Sequence, residues 1–294
     1  MGLCYGSIGT DDGGSVRIPG SHCGIVGLKT SFGRVSTRGI VPSAYSLDTV
    51  GPMTRTVEDA AVMLQVIAGY DALDAIALNE PVPDYLRLLK APISKLRIGI
   101  PRPYFFDDLD PEVAAAVENA IAHMRGEVAR MKDVVLPQFQ FVPNGGTDIE
   151  LYHYQRPYFE QSPEQYHPSS RRLLEHAKSI SAALCRNVEK NREARRDIHK
   201  TFEEVDVLLL PTMREPAPLI QEVVERTHHS RPSNVSAFNR FGLPAITVPC
   251  GFSKTNLLIR LQIAVHRSVK VSYCPWHTVI SNPRTGIVDI PNNE

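Results

Sequence analysis

Apolar positions recur along this chain with two periods, and their alternation predicts an α/β protein. Val57, Ala60, Ala61, Leu64, Ile67 and Ala68 fall on one helical face, with Thr56 placed to cap that helix and Gly69 to end it. Residues 96–100 form a short apolar run that predicts a strand. Asp110-Pro111 then opens a helix carrying Val113, Val117, Ala120, Ile121 and Met124, and residues 133–136 predict the next strand. Strand, helix and strand in that order make a βαβ unit, which favours a parallel sheet. Residues 207–210 and 245–248 are continuous apolar runs of the kind buried on both faces.

The remaining segments connect these elements. Residues 71–92 read as a surface loop with a short helical pattern at 85–89. Residues 147–202 read as mostly helical, with breaks at Ser162-Pro163 and His167-Pro168 and charged runs that face water. The aromatic group Tyr152, Tyr154, Tyr158 and Phe159 in that stretch fits a core more readily than a substrate pocket. The expected fold class is α/β, with a mixed, largely parallel central sheet flanked by helices.

Composition narrows the functional classes. The 294 residues carry 32 basic and 32 acidic side chains, so no net field draws the chain to nucleic acid or to an anionic membrane, and small neutral substrates are permitted. Cys4, Cys23, Cys185, Cys250 and Cys274 are scattered, without the spacing of a zinc site or a redox pair, which fits a reducing, cytoplasmic compartment. The first residues show no signal-peptide pattern, and no window has the apolar length of a membrane span. His228-His229 is too close for a helical i, i+4 metal pair and no His-Glu-x-x-His pattern occurs, so neither metal nor cofactor is expected.

The chemistry concentrates in Gly9-Thr10-Asp11-Asp12-Gly13-Gly14-Ser15-Val16-Arg17. Two glycines before a serine let several backbone amides turn toward one point, which suits the oxyanion that forms when a serine hydroxyl attacks a carbonyl. Arg17 is placed to hold Asp11 or Asp12 in a bidentate pair and so stiffen the loop. The Gly-x-Ser-x-Gly elbow of an α/β-hydrolase is missing, and no histidine is singled out as a base; His22 is the nearest in sequence.

This stretch and those that follow it resemble the amidase signature family of serine hydrolases. The resemblance is carried by Gly13-Gly14-Ser15-Val16-Arg17, Cys23-Gly24-Ile25-Val26-Gly27-Leu28-Lys29, Gly33-Arg34-Val35-Ser36, Ser46-Leu47-Asp48-Thr49-Val50-Gly51-Pro52-Met53 and Arg55-Thr56-Val57-Glu58-Asp59. Later blocks at 205–212 and 238–252 are similar to its later strands. The resemblance implies a partial amidase domain over 1–264, with a signature core at 5–71 and a helical insert at about 147–202. It also implies that Ser15 is the acylated nucleophile, that the amides of Asp12, Gly13, Gly14 and Ser15 form the oxyanion hole, and that Asp11 and Arg17 support the loop.

The family's lysine base and second serine lie upstream of its nucleophile, so the resemblance implies an N-terminally truncated member with weak or no activity by itself. Lys29 falls in a matching strand beyond the nucleophile and reads as structural. Asp12 stands where the family commonly has an uncharged residue, and its carboxylate would oppose an oxyanion. Arg260 stands where members have glycine, so a guanidinium is expected to cost core packing or open the sheet edge there. Residues 265–294 read as a divergent or disordered tail, with a short strand pattern at 269–273.

The implied activity is cleavage of a carboxamide C–N bond through a Ser15 acyl-enzyme. Two other readings stand beside it: a non-catalytic amidase-like binding protein, and the A-type subunit of a tRNA-dependent amidotransferase. The expected partners are a small-molecule amide and, through exposed core surface, a second copy of the chain; direct nucleic acid and membrane contacts are not expected.

Overall fold

The computed structural model describes residues 4–137, 146–180, 186–225 and 234–266. The first half of the chain contains β1 (Gly6–Asp11), α1 (Arg17–His22), β2 (Val26–Lys29), β3 (Thr49–Thr54), α2 (Val57–Ile67), α3 (Tyr85–Leu89), β4 (Arg97–Ile100), α4 (Arg102–Phe105), α5 (Pro111–Met124) and β5 (Arg130–Asp133). The second half contains α6 (Gly146–Gln161), α7 (Pro168–Ser179), α8 (Arg186–Glu204), β6 (Val207–Pro211), α9 (Ile220–Glu225), α10 (Ser236–Arg240), β7 (Ala245–Phe252) and β8 (Leu258–Val265). The expected breaks in the helical stretch are present, and a short 3-10 turn at Pro163–Gln165 occupies the first of them.

Local chemistry explains where the helices start. Thr56 Oγ1 accepts from the Asp59 amide at 3.1 Å, which caps α2. Asp110 accepts from the Glu112 amide at 2.8 Å and Pro111 occupies the first turn of α5, where its missing N–H is no loss.

The strands form one sheet in the order β1-β3-β2-β7-β8-β6-β4-β5. The α/β class is as expected, but the sheet is mostly antiparallel rather than largely parallel. Parallel pairing is confined to β4 with β5 and β6, where the βαβ reading of this segment holds. β7 and β8 instead form an antiparallel hairpin, closed by a turn in which Ser253 N donates to Leu257 O at 2.8 Å and Asn256 takes a positive φ. A continuous apolar run reports burial of both faces, and helices here cover both faces of an antiparallel sheet. β5 lies three residues earlier than expected, because the backbone that meets β4 in register is Arg130 to Asp133, a polar edge segment.

Alternation along β6 divides the core. Val207 and Leu209 join Val57, Leu64, Val117 and Ile121 on one side of the sheet, while Leu208 and Leu210 join Ile198, Phe238 and Phe241 on the other. Arg260 sits within β8, paired to β7 opposite Pro249, with its carbonyl accepting from Thr212 N. The residue is 2% exposed and none of its three guanidinium nitrogens has a hydrogen-bond partner, while β8 stays paired to β7 on one side and β6 on the other, so the edge is not opened. The tail beyond 266, including the strand pattern at 269–273, lies outside the described residues. Among the described residues, no helix is long and apolar enough to cross a membrane.

Candidate active site

The loop that carries Ser15 joins the end of β1 to the start of α1, which lies against β2, β7 and β8. Asp11, the last residue of β1, is fully buried and organises the loop. Its carboxylate accepts from the amides of Gly14 at 2.8 Å, Val16 at 3.2 Å and Arg17 at 3.4 Å. The same carboxylate takes Arg17 Nε at 3.0 Å and Nη2 at 2.9 Å, and Asn239 Nδ2 at 2.8 Å.

Arg17 is equally buried and completes a network across the sheet. Its Nη1 donates to Val235 O at 2.6 Å and to Gln262 Oε1 at 2.7 Å, and its Nη2 to Asn239 Oδ1 at 2.5 Å. Burial opposes ionisation of Asp11, yet the charge and hydrogen bonds of Arg17, with help from Lys29 and Asn239, hold its carboxyl well below the usual range. The pair is therefore ionised and fixes the loop from beneath.

Gly14 has φ 128°, and a Cβ there would overlap Val235 and stand 2.9 Å from Ile18. Only glycine fits that turn. Its consequence is that Ser15 projects from the loop as an exposed residue while Val16 and Arg17 return to the interior.

The four amides expected to form an oxyanion hole differ in their surroundings. The Gly14 amide faces inward to Asp11 Oδ1, so it is engaged with that carboxylate. The Asp12 carboxylate accepts from Ser43 Oγ at 3.0 Å and lies near the amides of Asp12 and Gly13. Burial raises the Asp12 pKa, and these contacts offset the rise only in part. The Asp12 carboxylate thus lies beside the amides of Asp12 and Gly13.

Neither side chain weighed as a base bonds Ser15. Lys29 is fully buried in β2, and its Nζ donates to Thr30 O at 3.1 Å. Burial, then the neighbouring charge of Arg17, pulls its pKa down to about 7. His22, at the end of α1, has its Nε2 buried with no partner.

The outer rim is built by the 43–48 turn and α6. Asp48 Oδ2 accepts from the amides of Ser43 at 2.9 Å and Ala44 at 3.0 Å, and Glu150 receives both the amide and the hydroxyl of Ser46. Arg195, on α8, donates to Ser46 O at 2.7 Å. Of the aromatic group, Phe159 is buried against Tyr166, whereas Tyr154 meets Tyr45 edge-on and Tyr158 is exposed.

Asn239 and Gln262 are site residues that sequence reasoning missed. Asn239 lies in a block quoted for its resemblance, and a polar residue between Phe238 and Phe241 on a buried helix was the signal available. Among the described residues, no three His, Cys, Asp or Glu side chains are grouped so as to hold a metal ion.

The family model described as Amidase matches residues 1–267. The chain is 40% identical over 270 residues to an amidase of Pseudomonas putida, a match covering 86% of this chain and 57% of the relative. It is 36% identical over 287 residues to the A-type subunit of the glutamyl-tRNA(Gln) amidotransferase of Geotalea daltonii, covering 87% and 59%. The chain therefore spans about three fifths of the length of the curated relatives it matches.

Among solved structures, the A-type subunit of the glutamyl-tRNA(Gln) amidotransferase of Thermotoga maritima superposes with a TM-score of 0.78 at 27% identity, covering 99% of this chain and 66% of the other. A component of a vestigial complex bearing on the origin of an s-triazine catabolic enzyme gives 0.84 at 23%, covering 98% and 64%, which speaks to the fold alone. With the family model matched along nearly its whole length, the chain belongs to the amidase signature family, hydrolases that act on carbon–nitrogen bonds other than peptide bonds.

Proposed function

We propose that Ser15 is the nucleophile of an amidase-type hydrolysis. Ser15 Oγ attacks the carboxamide carbon and loses its proton; the C–N bond breaks, and ammonia or an amine leaves with a proton. Water then attacks the acyl-enzyme and releases the carboxylic acid. The observation that carries the reading is an exposed Ser15 on a loop whose backbone is fixed from below by the buried Asp11–Arg17 pair. Preorganised amides next to the nucleophile are what an oxyanion requires. The Ser15 amide, with those of Asp12 and Gly13 once the Asp12 carboxylate moves aside, fits that role.

The expected turnover of residues 1–294 by themselves is weak. Lys29 and His22 make no bond to Ser15, and a carboxylate beside the oxyanion amides opposes the charge that must develop there. The substrate class is a small carboxamide. Exposed thiols at Cys4 and Cys23 support a reducing, cytoplasmic setting.

A second reading is the A-type subunit of a glutamyl-tRNA amidotransferase, favoured by the 36% identity to the Geotalea daltonii protein. Ammonia release from benzamide and from glutamine, compared between the wild-type chain and Ser15→Ala, tests both. Ser15-dependent release from benzamide supports the amidase reading, and preference for glutamine supports the second. Equal release by Ser15→Ala contradicts both, and release from neither protein above the rate without protein leaves a non-catalytic binding protein.

A further inference from the structure

Three tyrosine rings stand at the end of the sheet that carries Ser15. β1 and β3 pair with Asp11 opposite Thr49, so the residues that follow Asp11 and those that precede Thr49 leave the sheet side by side. Ser15 lies four residues after Asp11, and Tyr45 four residues before Thr49. Ser43 Oγ donates to Asp12 Oδ2 at 3.0 Å and ties the two segments together. Within the 43–48 turn, Ala44 and Leu47 are buried, Asp48 holds the amides of Ser43 and Ala44, and Glu150 holds Ser46. Tyr45, between these anchors, is turned outward and 52% exposed.

The Tyr45 ring meets Tyr154 edge-on, with centroids 6.4 Å apart and planes at 67°, and Tyr154 meets Tyr158 at 6.3 Å and 43°. Glu150, Tyr154 and Tyr158 are spaced four apart on α6, so the stripe that anchors Ser46 continues as the two rings. Core packing does not account for them. Phe159, the next residue, supplies the buried contact of this helix, while Tyr158 is 59% exposed. Two rings fixed at 67° make a corner, and with half of Tyr45 open to solvent a guest can enter it. An aromatic guest meets the face of one ring and the edge of the other, the arrangements that aromatic pairs prefer, whereas an aliphatic guest gains buried area alone.

We propose that Tyr45, Tyr154 and Tyr158 form an aromatic subsite that selects, for attack by Ser15, carboxamides ending in an aromatic ring. This rests on the reading of Ser15 as nucleophile. The ring of such a molecule occupies the corner between Tyr45 and Tyr154, with Tyr158 extending it along α6. A short chain carries the carboxamide back toward the 12–15 segment and the hydroxyl.

Titration of 4-phenylbutanamide and of 4-cyclohexylbutanamide into the Ser15→Ala chain, followed by ligand-observed NMR, tests the subsite without turnover. The two amides are close in size, and the second lacks the π face. The phenyl amide is expected to bind at least about threefold more tightly, the scale of an aromatic pair beyond its buried area. Tyr45→Leu and Tyr154→Leu should each remove that preference, whereas Tyr70→Leu, at an exposed tyrosine beyond α2, should keep it. In the wild-type chain the phenyl amide should also slow fluorophosphonate labelling of Ser15, and Tyr154→Leu should weaken that protection at least about threefold. Equal binding of the two amides, binding of neither, a preference that survives both substitutions, or a preference that leaves a labelled Ser15 unprotected overturns the proposal. A phenyl preference lost in the tyrosine variants, with Ser15 unlabelled in the wild type, would uphold the aromatic subsite and refute the nucleophile reading alone; labelling of Ser15 without that preference would refute the subsite alone.

Discussion

Replacing Arg260 by methionine is expected to stabilise the chain by about 3 kcal/mol. The guanidinium lies within β8, 2% exposed, and its Nε, Nη1 and Nη2 lack any hydrogen-bond partner. Burial holds its pKa down to about 10. Measured against a guanidinium in water, that depression corresponds to about 3 kcal/mol opposing the folded state. The side chain is charged in both states at neutral pH, so this opposition is fully present there and diminishes only as pH rises above about 10. Methionine keeps much of the volume and removes the charge and the orphaned donors together, whereas Arg260→Lys keeps the charge and should bring no gain. Urea unfolding followed by circular dichroism at pH 7 reads the difference directly, and the thermal midpoint should rise by about 5 °C or more. A methionine variant no more stable than the wild type would show that the guanidinium is satisfied, and the reasoning from its burial would fail.

Asp11→Asn should destabilise by about 3–5 kcal/mol, because it leaves Arg17 charged and buried without its partner carboxylate; urea unfolding measures this. In the wild type, the contribution of Asp11 is present above the ordinary carboxylate range and is lost as pH falls through and below it, since the folded pKa is depressed. Gly14→Ala should lose at least about 2 kcal/mol through its positive φ and the overlap with Val235, with the Ser15 loop displaced in its NMR spectrum. Lys29→Met should abolish a rise in stability with pH. The folded pKa of about 7 lies below the ordinary lysine value, so the unfolded chain binds more protons between the two and wild-type stability climbs across that window. Subtracting the two pH–stability curves isolates the effect.

Much of the fold was legible where one residue decides local structure. Thr56 and Asp110-Pro111 announced their helices, Ser162-Pro163 and His167-Pro168 their breaks, and the apolar runs at 207–210 and 245–248 their strands. The direction of the strands was not legible, because continuous hydrophobicity reports burial on both faces and carries no sense of pairing. β1 carries no strand pattern either: Gly6, Gly9 and Asp11 are poor strand formers, held in place by antiparallel pairing with β3.

The site shows the same division. Gly13-Gly14-Ser15 and a pairing of Arg17 with Asp11 or Asp12 could be read locally, since the residues lie within one loop, and the structure shows Asp11 as the partner. Asn239 and Gln262, which complete the Arg17 network, are more than two hundred residues away and enter through the packing of α10 and β8. The facing of Gly14 toward Asp11, and the approach of the Asp12 carboxylate to the adjacent amides, depend on loop dihedrals that composition does not specify.

Labelling with a fluorophosphonate, located by peptide mass spectrometry, tests whether Ser15 is the reactive nucleophile. One phosphonyl adduct is expected, on the peptide containing Ser15 in the wild-type chain, and none in Ser15→Ala. An unlabelled Ser15 in protein shown to be folded, or an adduct that survives Ser15→Ala, would contradict that assignment.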